Sequence, residues 1–304
     1  MLVLFMHGAS VRNPEYADPL RSRLIDEFTN RGLATPEFYS CYWGDAIGSA
    51  SEIWDYVQQD LEAFKWNHPH IDVDDIFHYR QRREQLISGF FNDIFNYLNR
   101  QRSREVRRAV AVQFLNFLAD APAEDLHIVA HSLSSVILWD ILFSDAYASN
   151  DPAIYIRNTI KGLGPASEGR KVKLRSITTL GSPLLFFNQL LDIDSQKLKQ
   201  FASRYTGTPL RWINIIRASD IFAYPMRASF DLDDSSLFFR DHYLGERNLL
   251  KKSIGDVAMA LGLIAEHSSY WRSLRASQLV TANLLGETEM LAVNSSILEF
   301  GEFD

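Results

Sequence analysis

The sequence predicts an α/β fold: a mostly parallel sheet of about five to six strands, flanked by helices and carrying a helical insertion. Three observations carry that expectation. Short strand-like runs alternate with helix-like stretches along the chain. Several runs are apolar almost without interruption, as strands covered on both faces are. Each of five runs ends in a small or polar cluster, and in open α/β sheets the ligand lies outside the carboxyl ends of the strands.

The first run, residues 2–6, is wholly apolar and leads into His7-Gly8-Ala9-Ser10. The second, 37–43, leads into Gly44-Asp45. Roughly 80 residues separate it from the third, against the ~10–12 of a minimal crossover. Within them Phe90, Phe91, Ile94, Phe95 and Leu98 recur at helical spacing. Val106, Val110, Phe114 and Phe117 do the same and mark the crossover helix on the sheet. Residues 46–101 therefore read as a helical insertion. It leaves the carboxyl end of a strand, which suits a cap over a substrate pocket; a structural excursion is the alternative. The third run, 126–130, passes through His131-Ser132 into an apolar helix at 136–142. The fourth, 173–180, ends in Gly181-Ser182-Pro183, and the fifth, 211–217, in Ala218-Ser219-Asp220. An apolar helix-like stretch at 257–265 precedes His267.

Composition narrows the class. The 304 residues read as one domain, 1–304, with the insertion inside it. A hydrophobic share of 46% excludes a disordered chain. One cysteine, Cys41, excludes an internal disulfide and a thiolate-rich zinc site, and inside a strand it is expected to be inert. The net charge of −7 argues against nucleic acid as a partner. No apolar run approaches the ~18 residues of a membrane span, and the apolar start lacks a basic region and a cleavage site. The expectation is a soluble, cytoplasmic protein.

The segment Ala130-His131-Ser132-Leu133-Ser134 carries the chemistry. A buried strand, a turn at serine and an immediate helix make a nucleophile elbow. The turn exposes a weak nucleophile to a base, and the helix N-terminus faces the oxyanion that develops. The usual G-x-S-x-G becomes Ala-x-Ser-x-Ser, with small residues still at the crowded flanks. A base and an orienting acid must follow in the order acid, then histidine. Asp220, just past the fifth strand, is the acid. His267 is the preferred base; His242, among charged neighbours that suggest an exposed loop, is the competitor. The Leu133 amide and one from Gly8 or Ala9 would form the oxyanion hole. His7, His131, Ser182 and Asp45 are candidate site-lining residues, with helix capping preferred for Asp45 and a structural role equally open for His131.

Together these pieces resemble α/β-hydrolase-fold serine hydrolases of the lipase and esterase type. The matching residues include Phe5-Met6-His7-Gly8, Tyr42-Trp43-Gly44-Asp45, the Ser132 elbow, Gly181-Ser182-Pro183, Asp220 with Tyr224-Pro225, and His267-Ser268-Ser269-Tyr270-Trp271. The last two are similar to segments of bacterial lipase-like hydrolases and of intracellular phospholipases with a DDHD-type C-terminal region. The resemblance implies a Ser132-His267-Asp220 triad that cleaves a small-molecule acyl ester, lipids included, without metal or cofactor. It also implies a shorter sheet, since the first strand already carries His-Gly. An acyltransferase or thioesterase on the same triad, and a catalytically silent binding protein, are the alternatives.

Other features have blander readings. Ser182 is read as a loop residue, because proline follows and no apolar helix of the right register is expected. His68 and His70 in their acidic loop read as solvated rather than metal-binding. Five arginines within residues 100–108 read as one exposed helix face. Asp231 to Asp234 read as a surface loop, and His127 as a packed core histidine.

Overall fold

The computed structural model describes residues 1–48, 51–72, 84–119, 125–160, 172–203, 209–232, 235–245 and 267–293. The expected helix at 257–265, Asp233, Asp234 and the acidic residues Asp74 and Asp75 lie outside them.

Six strands form one sheet: β1 (Leu2–Met6), β2 (Glu37–Cys41), β3 (Asp125–His131), β4 (Lys173–Leu180), β5 (Leu210–Arg217) and β6 (Leu237–Leu244). Their order is β2-β1-β3-β4-β5-β6, and every pairing is parallel. The fold is thus α/β as expected, with no antiparallel strand among the described residues. The chain first moves from β1 to β2 on one side, then jumps back across β1 to β3. The direction of winding reverses there, so the ends of β1 and β3 open a crevice between them.

Alternation along the strands divides the core in two. Val3 and Phe5 of β1 face the layer made by α1 (Asp18–Asn30) and α9 (Leu274–Leu285). Leu2, Leu4 and Met6 face the opposite layer. That layer is built by α4 (Arg100–Ala119), α5 (Leu133–Phe143), α6 (Pro152–Ile160), α7 (Leu184–Leu191) and α8 (Gln196–Ala202). α1 buries Leu20, Leu24 and Phe28, one stripe at four-residue spacing. α9 is capped by the Ser273 hydroxyl, which accepts from the Ala276 amide, and ends at Gly286 in the left-handed region. α10 (Thr288–Val293) follows.

Between β2 and β3 the described chain is helical. A single 3-10 turn, Gly44–Ala46, precedes α2 (Ser51–Asn67), and a π-helical stretch, Gln85–Phe91, runs into α3 (Asn92–Leu98). α4 buries Val106, Val110 and Phe114 against the sheet, as the crossover reading requires. The periodic face of α3 does not lie on the sheet. Phe90 is buried, but Phe95 is 61% exposed. Two buried carboxylates fix α3 instead. Asp93 bonds Arg12 in the loop after β1, and Tyr97 donates to Asp140 of α5 at 2.6 Å.

Three expectations need correction. His242 is not in an exposed loop: it lies in β6, opposite Ile215 of β5, and is buried. Arg240 and Asp241 disguise that strand. The Asp241 carboxylate is satisfied from Asn214 of β5 and from the amides of Met226 and Arg227. The arginines of 100–108 do not all face solvent either. Arg107 is buried, makes a two-pronged pair with Asp151 at 2.8–2.9 Å and lies over the Tyr147 ring. Finally, an apolar helix, α7, does follow Ser182 at once. Gly181 takes the turn at φ +57°, so Pro183 can sit at the helix start.

Candidate active site

β3 passes into α5 through Ser132, whose φ is 52° and ψ −125°. A non-glycine residue in that region costs about 1–3 kcal/mol and persists only where its surroundings over-determine it. Here they do. The Ser132 amide donates to the Leu180 carbonyl of β4 at 2.9 Å. The Ser135 amide and hydroxyl both donate to the Ser132 carbonyl, at 2.9 and 2.6 Å. Every residue of α5 is buried, which anchors the helix behind the turn.

The Ser132 hydroxyl meets Nε2 of His267 at 2.5 Å. Nδ1 of His267 meets both oxygens of Asp220, at 2.8 and 2.9 Å. A carboxylate only accepts, so Nδ1 carries the proton and Nε2 presents its lone pair to the serine hydroxyl. Asp220 also accepts from the Tyr270 hydroxyl at 2.8 Å and from the Phe222 amide at 3.0 Å. Tyr270 in turn accepts from the Arg217 amide at 2.9 Å. Burial pushes the Asp220 carboxyl up, but these bonds outweigh it and leave it below its ordinary value. Asp220 is therefore ionised where His267 needs an anion.

Two glycines allow this approach. A Cβ on Gly8 would lie 2.6 Å from Cβ of Ser132, so only glycine brings the β1 loop this close to the elbow. A Cβ on Gly181 would lie 2.7 Å from Oδ2 of Asp220. Leu133 is the first residue of α5, and its amide is among those a helix leaves without an internal acceptor. Leu133 and Gly8 thus flank Ser132 from two strand ends.

Ser134, which replaces a glycine of the usual elbow, has a definite task. Its hydroxyl donates to the His7 carbonyl and accepts from the Trp43 indole at 2.9 Å. One side chain ties the ends of β1, β2 and β3 together. His7 is locked beside it: Nε2 accepts from the Trp43 amide at 3.0 Å, the ring stacks on Trp43, and Nδ1 is bonded to the Gly8 carbonyl. Burial above all lowers its pKa to about 3.

No protein-family model matches the chain, and no curated protein matches it.

The sequence-derived residues sort as follows. Ser132, His267 and Asp220 come together, with Leu133, Gly8 and Ala9 alongside. His131 is buried behind them; its Nε2 is bonded to the His267 carbonyl at 2.6 Å, and burial above all lowers its pKa to about 3. Ser182 is buried, with its hydroxyl on that of Ser135 at 2.6 Å. It braces the elbow from behind. Asp45 is exposed, next to the Tyr42 hydroxyl, and lies within the 3-10 turn Gly44–Ala46 rather than at its N-cap, which is Trp43. His127 is buried, its Nδ1 bonded to the Ser176 hydroxyl at 2.7 Å. Burial pushes the Cys41 thiol up to about 12. His68 and His70 are exposed, and among the described residues no group of three or more His, Cys, Asp or Glu is gathered to hold a metal ion.

Three contributions escaped the sequence reading. Tyr270 holds the acid. Phe90 and Phe222 pack on each other at 4.7 Å between centroids and on the His267 ring at 6.0 and 4.9 Å. Ser132 is 2% and His267 3% exposed. Asp93 grips the loop after β1. An apolar Phe or a lone Asp inside a helix carries no local signature of such contacts.

Proposed function

We propose that this protein is a serine hydrolase that cleaves carboxylic esters through a Ser132-His267-Asp220 triad. One observation carries the reading: a serine in a strained strand-to-helix turn is joined by an unbroken hydrogen-bond chain to a histidine and an ionised carboxylate. In the proposed reaction His267 removes the Ser132 proton as Oγ attacks the ester carbonyl. The Leu133 amide and one from Gly8 or Ala9 stabilise the oxyanion. The imidazolium, steadied by Asp220, then protonates the departing alcohol. Water, deprotonated by the same histidine, resolves the acyl-enzyme and restores the serine.

The aromatic cover of Phe90 and Phe222 supports an apolar acyl ester, lipids included, as the substrate class. The same cover supports a second reading, transfer of the acyl group to an alcohol or thiol in place of water. Helices between β2 and β3 would serve as the cap that shapes this pocket.

A fluorophosphonate probe tests the proposal. It should label the protein at Ser132, and Ser132→Ala should abolish labelling with the fold intact. Labelling that survives in the variant would remove Ser132 as nucleophile, and an unreactive wild type would favour a silent binding protein.

A further inference from the structure

Asp93 belongs to α3, far from the triad in sequence, and its side chain is fully buried. Its carboxylate turns toward the loop after β1. Oδ2 accepts from the Ser10 amide at 2.8 Å and from Nη1 of Arg12 at 2.8 Å. Oδ1 accepts from Nη2 of Arg12 at 2.6 Å. The bidentate guanidinium neutralises a buried anion and holds it in one orientation. Its hydrogen bonds with Asp93, before any other influence, raise the Arg12 pKa.

The gripped residue is itself unusual. Ser10 has φ +66°, a conformation that a serine adopts only under constraint. Gly89, in the π-helical stretch, approaches so closely that a Cβ there would lie 3.0 Å from the Ser10 hydroxyl oxygen. One residue toward the C-terminus of Gly89 is Phe90, which packs on His267. The loop is therefore clamped at both ends. Ser134 holds the His7 carbonyl on one side, and Asp93 holds the Ser10 amide on the other. Gly8 and Ala9 lie between.

We infer that Asp93 is a positioning residue for the oxyanion hole: acting through the Ser10 amide, it fixes the Gly8-Ala9 backbone against Ser132, with Arg12 holding the carboxylate in place. This rests on the hydrolase reading. It assigns to the helical segment a part in transition-state binding as well as in covering the pocket.

The experiment compares wild type, Asp93→Leu, which has no acceptor for the Ser10 amide, and Arg12→Met on a p-nitrophenyl ester, with phenylboronic acid as a mimic of the tetrahedral intermediate. Removal of a whole oxyanion donor costs about 10²–10³-fold in kcat, so a loosened loop should cost roughly tenfold or more. Asp93→Leu should lose that factor in kcat and in boronate affinity together, with KM within about twofold of wild type. Arg12→Met, which keeps the bond to Ser10, should lose less. A residue that only held α3 in place would leave boronate affinity and KM in step. In the wild-type protein the Ser10 amide should also resist deuterium exchange, a readout that needs no variant. A folded Asp93→Leu with unchanged kcat and boronate affinity would overturn the inference, as would a freely exchanging Ser10 amide. An unreactive wild-type Ser132 would instead sink the hydrolase reading, so the two failures are distinct.

Discussion

Gly181→Ala is a one-carbon change whose effect is confined to the acid and base. Gly181 has φ +57°, and forcing alanine into that region costs on the order of 1 kcal/mol before any contact is counted. The new methyl would meet Oδ2 of Asp220 at 2.7 Å, Cε2 of Tyr270 at 2.8 Å and Cε1 of His267 at 3.2 Å. Contacts of an ordinary kind begin at 3.4 Å, so the carboxylate must give by about 0.7 Å. It cannot give freely, because His267, Tyr270 and the Phe222 amide all hold it. Stretching its 2.8 Å bond to Nδ1 by that amount carries it past hydrogen-bonding range. Strain and weakened bonds together should lower stability by about 2–3 kcal/mol. Displacement of this size at a reacting centre costs ~10²-fold in rate. Thermal unfolding and the rate of fluorophosphonate labelling measure the two effects. A folded Gly181→Ala that reacts at the wild-type rate would refute the claim that Asp220 orients the base.

Two further predictions concern the elbow and the buried histidines. Ser134→Gly, which restores the more usual residue, should be harmful, because the His7 carbonyl and Trp43 indole lose their shared partner; unfolding should show a loss of about 1–3 kcal/mol, and an equal or higher Tm would contradict the clamp. His7, His127, His131 and His242 are kept neutral chiefly by burial, with pKa values lowered to about 3, about 3, about 3 and about 4, whereas in the unfolded chain they titrate near ~6.5. The unfolded state therefore takes up protons that the folded state refuses, so this stability is whole above pH ~6.5 and drains as pH falls toward 4. Each histidine loses at most about 2 kcal/mol by pH 5. Tm should drop between pH 7 and 5, with a shallower drop in His242→Phe, and a flat profile would refute the assignment.

Strands with uninterrupted apolar runs were legible because burial on both faces leaves no room for polar residues. β1 is of this kind and β3 nearly so, broken between Leu126 and Ala130 only by His127, and the strand-serine-helix junction at Ser132 follows from β3. β6 was not legible, because Arg240, Asp241 and His242 sit in its middle. The partners of Asp241 come from β5 and from the loop at Met226 and Arg227, which no local pattern reveals. Asp220 and His267 were legible through their order and their sequence context, one just past β5 and the other after an apolar stretch. Tyr270 was visible as a residue but not as a donor to Asp220. The hold of Asp93 on Ser10 spans 83 positions, so no periodicity contains it. Ser134 was legible only as a departure from glycine; its role depends on two strands that the sequence does not place side by side.

Phe90 and Phe222 pack on the His267 ring beside a serine that is 2% exposed, and under the proposed chemistry this closeness shapes time as well as space. Under that chemistry an acceptor that resolves the acyl-enzyme would reach Ser132 through the same surroundings, the two rings included, that admitted the ester. The intermediate then lives for as long as the rings stay shut, however strong a base His267 is. Competing acceptors are ranked by how readily they part an aromatic pair, which favours an apolar alcohol over bulk water. Because one opening then gates both acylation and its resolution, product should emerge at a steady pace with no rapid first equivalent.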